Sequence, residues 1–359
     1  MRVRYARARE GAGPPPAAAL ALAAEALLRL GDRPEPEALA DEDRLRRALE
    51  RVAREAGEAD PRAAAAKTLE FLRDRGWIER AGGGELRLQA HPELLRLAAL
   101  RALRALLPHA RPSGGAWPRP GMRGPHEPHG PERPWRWGEP LQLDAAATLK
   151  AGLLRGGLTL ADLRVREGEG GRRSAVALLL DCSHSMVLYG VDRFGPAKRL
   201  ALALHHWLGR EGDRLRVVCF HDVAVPVAPE RLPFLHALPS HTNTAAALEA
   251  AREWLRRQGD VRRRAVLVTD GRPTAVLRPD GRVYKNAWGR DPEIERTTRA
   301  AAARLRRAGA ELDVYMLDDE PQALARVREL ARIARGRAFQ VDPEQLGRRV
   351  LTDLMRAAR

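Results

Sequence analysis

From residue 174 to the C-terminus, short apolar runs alternate with segments of helical length that are apolar on one side. This alternation limits the fold more than any other feature. Ala175–Leu180 is an unbroken apolar run, the pattern of a strand buried on both faces. Strands that alternate with helices of this length form a mostly parallel sheet covered on both sides. We therefore predict an α/β fold with a doubly wound, mostly parallel sheet. The other predicted strands are Leu215–Phe220, His221–Val227, Arg264–Thr269, Leu312–Leu317 and Ala338–Val341, and the predicted helices are 196–209, Ala245–Leu255, 292–307, Pro321–Ile333 and 343–357.

The residues before this sheet fall into segments of different composition. Nine prolines and six glycines between residues 108 and 140 predict a linker, because such a stretch buries too little apolar area to offset its ordering entropy. Helical periodicity precedes the linker, and helices followed by a small hairpin resemble a winged-helix arrangement. The predicted organisation is a flexible start at 1–14, a smaller, mainly helical domain with a β-hairpin at 15–107, the linker at 108–140, a segment before the sheet at 141–173, and the sheet domain at 174–359.

The formal net charge of +16 raises the question of a nucleic-acid-binding surface. Residues 1–110 carry +3, residues 111–173 carry +4 and residues 174–359 carry +9, so no segment concentrates the charge. Of the 63 basic residues, 59 are arginine. Such a strong preference for arginine over lysine more often reflects genome composition than function. We therefore do not expect a nucleic-acid partner.

The cysteine count and the apolar runs bear on location. Only Cys182 and Cys219 are present, which excludes a disulfide scaffold and a Cys-rich zinc module and is typical of a reducing compartment. No run of about 20 apolar residues occurs, so we expect no transmembrane helix and no membrane partner. The expected location is the cytoplasm.

Three polar segments lie where ligands bind on such sheets, beyond the carboxyl ends of the strands. They are Asp181–Met186 (D-C-S-H-S-M), His241–Thr244 (H-T-N-T) and Thr269–Gly271 (T-D-G). One such loop alone would be read as a helix cap or a turn, since Asp and Ser are favoured there. Together, two carboxylates and several hydroxyls are the hard oxygen donors that suit Mg²⁺ or Mn²⁺.

The order and spacing of these segments resemble the metal-ion-dependent adhesion site (MIDAS) of von Willebrand factor A (vWA) domains. The elements shared are D-x-S-x-S after a strand, a Thr before a later helix, and an Asp in a T-D-G turn. The resemblance covers about residues 174–359, half of the chain. It implies that a carboxylate of a protein partner completes the metal shell, and that the metal ligands are Ser183, Ser185 and Thr242 through hydroxyls and Asp181 and Asp270 directly or through water.

The chain departs from the family pattern at two positions. His184 and His241 stand where the family usually has glycine or another small residue. Two imidazoles at the edge of the site could select among partners or make metal binding sensitive to pH. With Asn243 they form the predicted rim that contacts the partner.

A narrower resemblance concerns bacterial vWA proteins similar to the D subunit of magnesium chelatase and to partners of MoxR-type AAA+ ATPases. The stretches that carry it include RFGPAKRLALALH, LVTDGRPTA and YMLDD. It implies an adaptor or co-chaperone that works with an AAA+ ATPase on a third protein. Two alternatives stay open: a non-catalytic subunit of a metal-insertion complex like magnesium chelatase, and a nucleic-acid-binding regulator that uses the N-terminal half.

The sequence contains no motif that predicts autonomous catalysis. No G-x-x-x-x-G-K-[ST] loop for ATP and no G-x-S-x-G nucleophile elbow occur. Ser183 has no evident base to activate it. We therefore predict no catalytic residue.

Overall fold

The structure is a computed structural model, and its elements fall into two compact units. It describes residues 17–30, 41–80, 88–106, 132–134, 147–151, 159, 162–166, 173–187, 191–211, 213–259, 261–286, 288 and 290–357. The described parts of Met1–Ala110 and Ser174–Met355 form one unit, and those of Arg111–Arg173 and Arg356–Arg359 form the other. Within these described ranges, no helix combines the length and apolar character that crossing a membrane requires.

A six-stranded sheet is the centre of the first unit. The strand order is β12-β11-β8-β5-β6-β7, and every neighbouring pair is parallel except β6 and β7. The predicted mostly parallel α/β sheet is therefore confirmed. The strands of this sheet are β5 (Ser174–Asp181), β6 (Arg214–Phe220), β7 (Ala224–Val227), β8 (Arg262–Thr269), β11 (Ala310–Met316) and β12 (Ala338–Gln340).

The apolar run of β5 forms a strand because both of its faces are covered. Val176, Leu178 and Leu180 belong to one hydrophobic cluster, and Ala175 and Leu179 belong to the other. Helices α5 and α9 contribute to the first cluster, and α6, α7 and α8 to the second. These helices are α5 (Phe194–Glu211), α6 (Thr244–Arg256), α7 (Pro292–Arg307), α8 (Pro321–Ile333) and α9 (Leu346–Ala357).

The starts of two helices show how local interactions determine where a helix begins. The predicted helix 292–307 is confirmed, because the Asp291 side chain caps it by accepting hydrogen bonds from the amides of Glu293 and Ile294. The predicted start of the last helix at residue 343 is wrong. A 3₁₀ turn occupies Pro343–Gln345, and the α-helix begins only at Leu346.

Two of the described N-terminal helices, Ala17–Arg29 and Pro92–Leu106, pack on α5, and this segment shares the hydrophobic cluster of α5. Leu27, Leu49 and Leu94 belong to the same cluster as Leu200. The fully buried Lys198 donates to the carbonyls of Leu30 and Pro233. The elements of this segment are α1 (Ala17–Arg29), α2 (Asp41–Glu55), α3 (Pro61–Asp74), α4 (Pro92–Leu106) and the predicted antiparallel hairpin, β1 (Ile78–Arg80) with β2 (Leu88–Ala90).

The second unit contains a small antiparallel pair, β3 (Glu132–Pro134) and β4 (Arg164–Arg166). Thr148 lies in a helical segment, 147–151, and its hydroxyl accepts a hydrogen bond from the Arg164 amide at 2.9 Å. β3 falls inside the segment predicted as a linker, and most of that segment lies outside the described residues. The predicted domain limits stay predictions.

A hairpin outside the main sheet follows β8. Its strands are β9 (Ala275–Leu277) and β10 (Val283–Lys285), which pair antiparallel. Val276 is buried in the second hydrophobic cluster, and Tyr284 packs against that cluster. The hairpin is therefore anchored on α6 and α7.

We predict that Gly336→Ala destabilises the protein by roughly 3 kcal/mol or more, in the range of severe overpacking. A Cβ on Gly336 would lie 1.9 Å from the backbone oxygen of Leu312 in β11. Gly259 is the matched control, since a Cβ there meets nothing within 4 Å. Urea unfolding measures both variants, and equal midpoints for the two would contradict the close approach of residue 336 to the sheet.

Candidate functional site

The three predicted polar segments meet at the carboxyl edge of the sheet. We call residues 181–187 the first loop, 238–243 the second loop and 269–274 the third loop. The Thr269 hydroxyl, at the end of β8, donates to Asp181 Oδ2, at the end of β5, at 2.6 Å. Because β5 and β8 are parallel neighbours, both strands deliver their last side chains to the same place.

The first loop folds around the carboxylate of Asp181. This side chain is fully buried, and its Oδ1 accepts a hydrogen bond from the Ser183 amide at 3.0 Å. The Ser183 and Ser185 hydroxyl oxygens are 3.1 Å apart. A 3₁₀ turn, His184–Val187, buries Met186 and so anchors the loop in the core. The D-x-S-x-S spacing therefore places a carboxylate and two hydroxyls together.

Backbone hydrogen bonds fix the second loop against the other two. The Leu238 amide donates to the carbonyl of Cys182 at 2.7 Å, and the His184 amide donates to the carbonyl of Ser240 at 3.3 Å. On the other side, the Thr242 amide donates to the Thr274 hydroxyl at 3.0 Å. The second loop therefore lies between the first and third loops.

The third loop needs glycine after its aspartate. Gly271 has a φ of +104°, a conformation that L side chains rarely adopt, and its amide donates to the Thr269 hydroxyl at 3.1 Å. This turn places Asp270 close enough to Ser185 for the serine side chain to lower the pKa of Asp270. The Thr269–Asp181 hydrogen bond joins the first and third loops.

The site concentrates negative charge. Burial and the charge of Asp270 raise the pKa of Asp181 to about 7, against the opposing hydrogen bonds from Ser183 and Thr269. Burial also raises the pKa of Asp270, although the nearby Ser185 side chain and the Arg193 charge act in the opposite direction. A positive charge at this edge would relieve the repulsion between the two carboxylates.

Arg193 closes one side of the site. Its guanidinium donates to the carbonyl of Leu317 at 2.9 Å and pairs with Asp318 at 3.0 Å, and its backbone amide donates to Met186. The side chain is 11% exposed. Arg193 therefore links the first loop to the end of β11 and holds Asp318 beside the site.

The predicted site residues divide by their exposure. Asp181, Ser183 and Thr242 are buried, whereas Ser185 and Asp270 are partly exposed. A ligand from outside can therefore approach past Ser185 and Asp270. This arrangement brings together the side chains of four of the five predicted ligands through hydrogen bonds or charge, and Thr242 joins them through the backbone of the third loop.

The predicted rim needs one correction. His184 is exposed and the His241 side chain is 34% exposed, as a rim requires. Asn243 is fully buried: its side-chain oxygen accepts from the Ala246 amide and caps α6, and its amide group donates to the carbonyl of Asp222. Asn243 therefore positions the second loop and cannot contact a partner.

Sequence reasoning missed three contributors to the site. Thr269 lies in the predicted T-D-G segment, but its role as the donor to Asp181 is not among the predictions. Arg193 lies ten residues after Ser183, and no local pattern connects it to the site. Asp222 accepts from the His241 amide at 3.0 Å and pairs with Lys285 at 2.5 Å, a contact between two distant segments that spacing does not reveal.

The donor set favours a hard cation over a soft one. Across the described residues, no group of three or more His, Cys, Asp or Glu side chains is arranged to hold a metal ion. The side-chain donors at the three loops are two carboxylates and several hydroxyls. Such ligands suit Mg²⁺ or Mn²⁺ rather than zinc or copper.

Comparison with known proteins gives one family match and several distant relatives. Residues 174–355 match the family model described as Rv0959-like protein, vWA domain. The uncharacterised protein Rv0959 of Mycobacterium tuberculosis (strain ATCC 25618 / H37Rv) is 30% identical over 329 residues, 87% of this chain and 48% of that protein. The uncharacterised protein Mb0984 of Mycobacterium bovis gives the same values. The chain thus spans about half the length of the curated relatives it matches.

Among solved structures, the similarity covers about half of this chain. The vWF domain of the type V pili tip protein Mfa5 from Porphyromonas gingivalis is 12% identical, with 52% of this chain and 96% of that chain covered and a TM-score of 0.40. An aerotolerance-related membrane protein from Bacteroides fragilis NCTC 9343 is 18% identical, with 51% and 99% covered and a TM-score of 0.36. At such values the likeness says nothing about function.

We predict that Thr269→Val lowers the free energy of unfolding by about 1–3 kcal/mol. Valine keeps the shape of this buried side chain but removes the donor to Asp181 and the acceptor for the Gly271 amide. Thr298→Val is the matched control, because that buried hydroxyl donates only to the Ile294 carbonyl of its own helix. Chemical denaturation compares the two, and an equal or smaller loss for Thr269→Val would contradict the support of Asp181 by Thr269.

Proposed function

The chain belongs to the Rv0959-like vWA domain family, and we propose that it is a non-catalytic interaction module that binds an acidic residue of a protein partner through Mg²⁺ or Mn²⁺ at the three loops. One observation carries the proposal. The buried Asp181 carboxylate, held by the Thr269 hydroxyl and the Ser183 amide, lies at the same edge as Asp270, and burial and the Asp270 charge raise its pKa. Such a pair is costly without a cation and favourable with one.

The ligands we assign follow from the chemistry of the side chains. Ser183, Ser185 and Thr242 offer hydroxyl oxygens, and Asp181 and Asp270 offer carboxylates directly or through water. Mg²⁺ binds six oxygens and keeps some positions for water or outside ligands. When bound, the cation supplies a positive charge that attracts a carboxylate, and the partly exposed side at Ser185 and Asp270 is where that carboxylate would enter.

The contacts of the serine residues support a binding role over catalysis. The Ser183 hydroxyl lies 3.1 Å from the Ser185 hydroxyl, and the Ser183 amide donates to Asp181. The activated serine of a Ser–His pair would need a hydrogen bond to a histidine. In the part of the chain that the structure describes, neither hydroxyl has one.

The identity of the partner rests on the narrower resemblance alone. We propose an adaptor for a MoxR-type AAA+ ATPase, and a cytoplasmic location follows from that role. Because the curated relatives are about twice as long as the matched region, their remaining residues could carry further binding surfaces. The alternative is a subunit of a metal-insertion complex. It predicts a different measurable result, since metal insertion would occur only when all components of the complex are mixed.

We predict that Mg²⁺ stabilises the protein by about 2.7 kcal/mol at 100 times its dissociation constant, and that Asp270→Asn abolishes most of this gain. In chelator, Asp270→Asn should be slightly more stable than the wild type, because it removes one of two repelling charges. Asp318→Asn is the matched control: its carboxylate lies at the same sheet edge but bonds Arg193 and is not an assigned ligand. Thermal denaturation and titration calorimetry measure both effects, and a full Mg²⁺ response in Asp270→Asn would contradict the proposed ligand set.

We predict that the full chain binds the MoxR-type ATPase of its own genome through the three loops. Nucleotide-free ATPase is titrated with each variant in the same Mg²⁺ buffer, so that only the adaptor differs. Binding should weaken at least about tenfold in Asp270→Asn and stay within about twofold in Asp318→Asn. Equal binding by both variants would move the ATPase contact away from the loops, and no binding by the wild type would remove this partner.

A further inference from the structure

The β9–β10 hairpin borders the three loops and is bonded to them at its base. Ala275 pairs with Lys285 at that base. The Thr274 amide donates to the carbonyl of Thr242 at 2.9 Å, and the Asn286 amide donates to the carbonyl of Thr274 at 2.8 Å. The residues that enter and leave the hairpin therefore lie next to an assigned ligand of the metal site.

Side-chain contacts hold the hairpin in one position. The Tyr284 hydroxyl and the Asn286 amide group both donate to Asp291 Oδ2, at 2.8 and 2.9 Å, and Asp291 caps α7. The Arg278 guanidinium lies 4.0 Å from the centroid of the Tyr284 ring and pairs with Glu293. A surface fixed in this way can bind a ligand without first losing conformational entropy.

Lys285 brings a positive charge to the rim. Its ammonium pairs with Asp222, which also accepts from the His241 amide, and its side chain is 41% exposed. This ammonium interacts with the Asp222 carboxylate and the His221 imidazole, and His241 interacts with Asp222. Lys285 balances the Asp222 charge, so the rim on this side does not repel an acidic segment.

Trp288 is the most exposed large apolar side chain of the described residues, with 88% of its surface accessible. Its backbone amide donates to the Asn286 side chain at 2.9 Å, while the indole is exposed to solvent. Val223 lies next to Asp222 and is 41% exposed. Tryptophan is enriched among residues that dominate binding energy, because it buries a large apolar area.

We propose that Trp288, beside Lys285, forms a second contact for the partner whose carboxylate binds at the three loops. The partner segment then has an Asp or Glu with an aromatic or large aliphatic residue within a few positions of it. The carboxylate binds at the metal, and the apolar side chain packs on the indole. This inference rests on the proposed function. It adds that the site selects an aromatic or large aliphatic residue near the acidic residue of the partner.

A peptide library with one fixed Asp and random flanking residues tests the inference on the full chain. The library is displayed on phage, selected on the wild type in Mg²⁺ and eluted with chelator. The expected result is enrichment of aromatic or large aliphatic residues near the Asp. The most enriched peptide is then synthesised with a fluorophore and titrated against each variant by fluorescence anisotropy.

Three variants distinguish the second contact at Trp288 from the metal-bridged contact at the three loops. Trp288→Ser should weaken the peptide at least about tenfold. Leu277→Ser is the matched control, an exposed apolar residue at the far end of the same hairpin, and should stay within about twofold. Either of two results would overturn the second contact alone. The first is loss of peptide binding in Asp270→Asn with unchanged binding in Trp288→Ser. The second is enrichment of peptides that show no preference for apolar residues near the Asp. Unchanged binding in Asp270→Asn would overturn the metal-bridged function.

Discussion

The buried carboxylate of Asp181 sets the arrangement of the whole carboxyl edge of the sheet. A charge without solvent contact must be satisfied by hydrogen bonds, and Asp181 has them from the Thr269 hydroxyl and the Ser183 amide. These bonds draw β8 and the first loop around it, and Asp270 arrives on the same strand connection. Two acidic groups at one edge then favour a cation over any neutral ligand.

The N-terminal helices support the segment that carries the second loop. Asp41 pairs with Arg231 at 2.6 Å, and Arg44 bonds His236, whose pKa burial and the Arg44 charge lower to about 4. His236 is therefore neutral at pH 7 and can accept a hydrogen bond from the guanidinium. Two residues further on, the Leu238 amide bonds the first loop. Contacts of the helical segment thus continue, through one stretch of backbone, to the site.

Local signals made much of this structure predictable. Proline at the first turn and an aspartate before it marked the start of α7, and unbroken apolar runs marked the buried strands. The three site loops followed from the rule that parallel strands deliver their carboxyl ends to one edge. The burial of Asn243, the bridge from Arg193 and the pairing of Lys285 with Asp222 were not predictable, because each depends on residues far apart in sequence that only the tertiary fold brings together.

The most direct measurement of the central claim is a crystal structure of the full chain grown with Mn²⁺, with diffraction data collected at the manganese absorption edge. The account predicts one strong anomalous peak within bonding distance of Ser183 and Ser185 oxygens, adjacent to Asp181 and Asp270. The same peak should be absent from crystals of Asp270→Asn. Data in which the three loops are ordered and hold no manganese, or in which the peak lies elsewhere on the protein, would contradict a metal-bridged binding site.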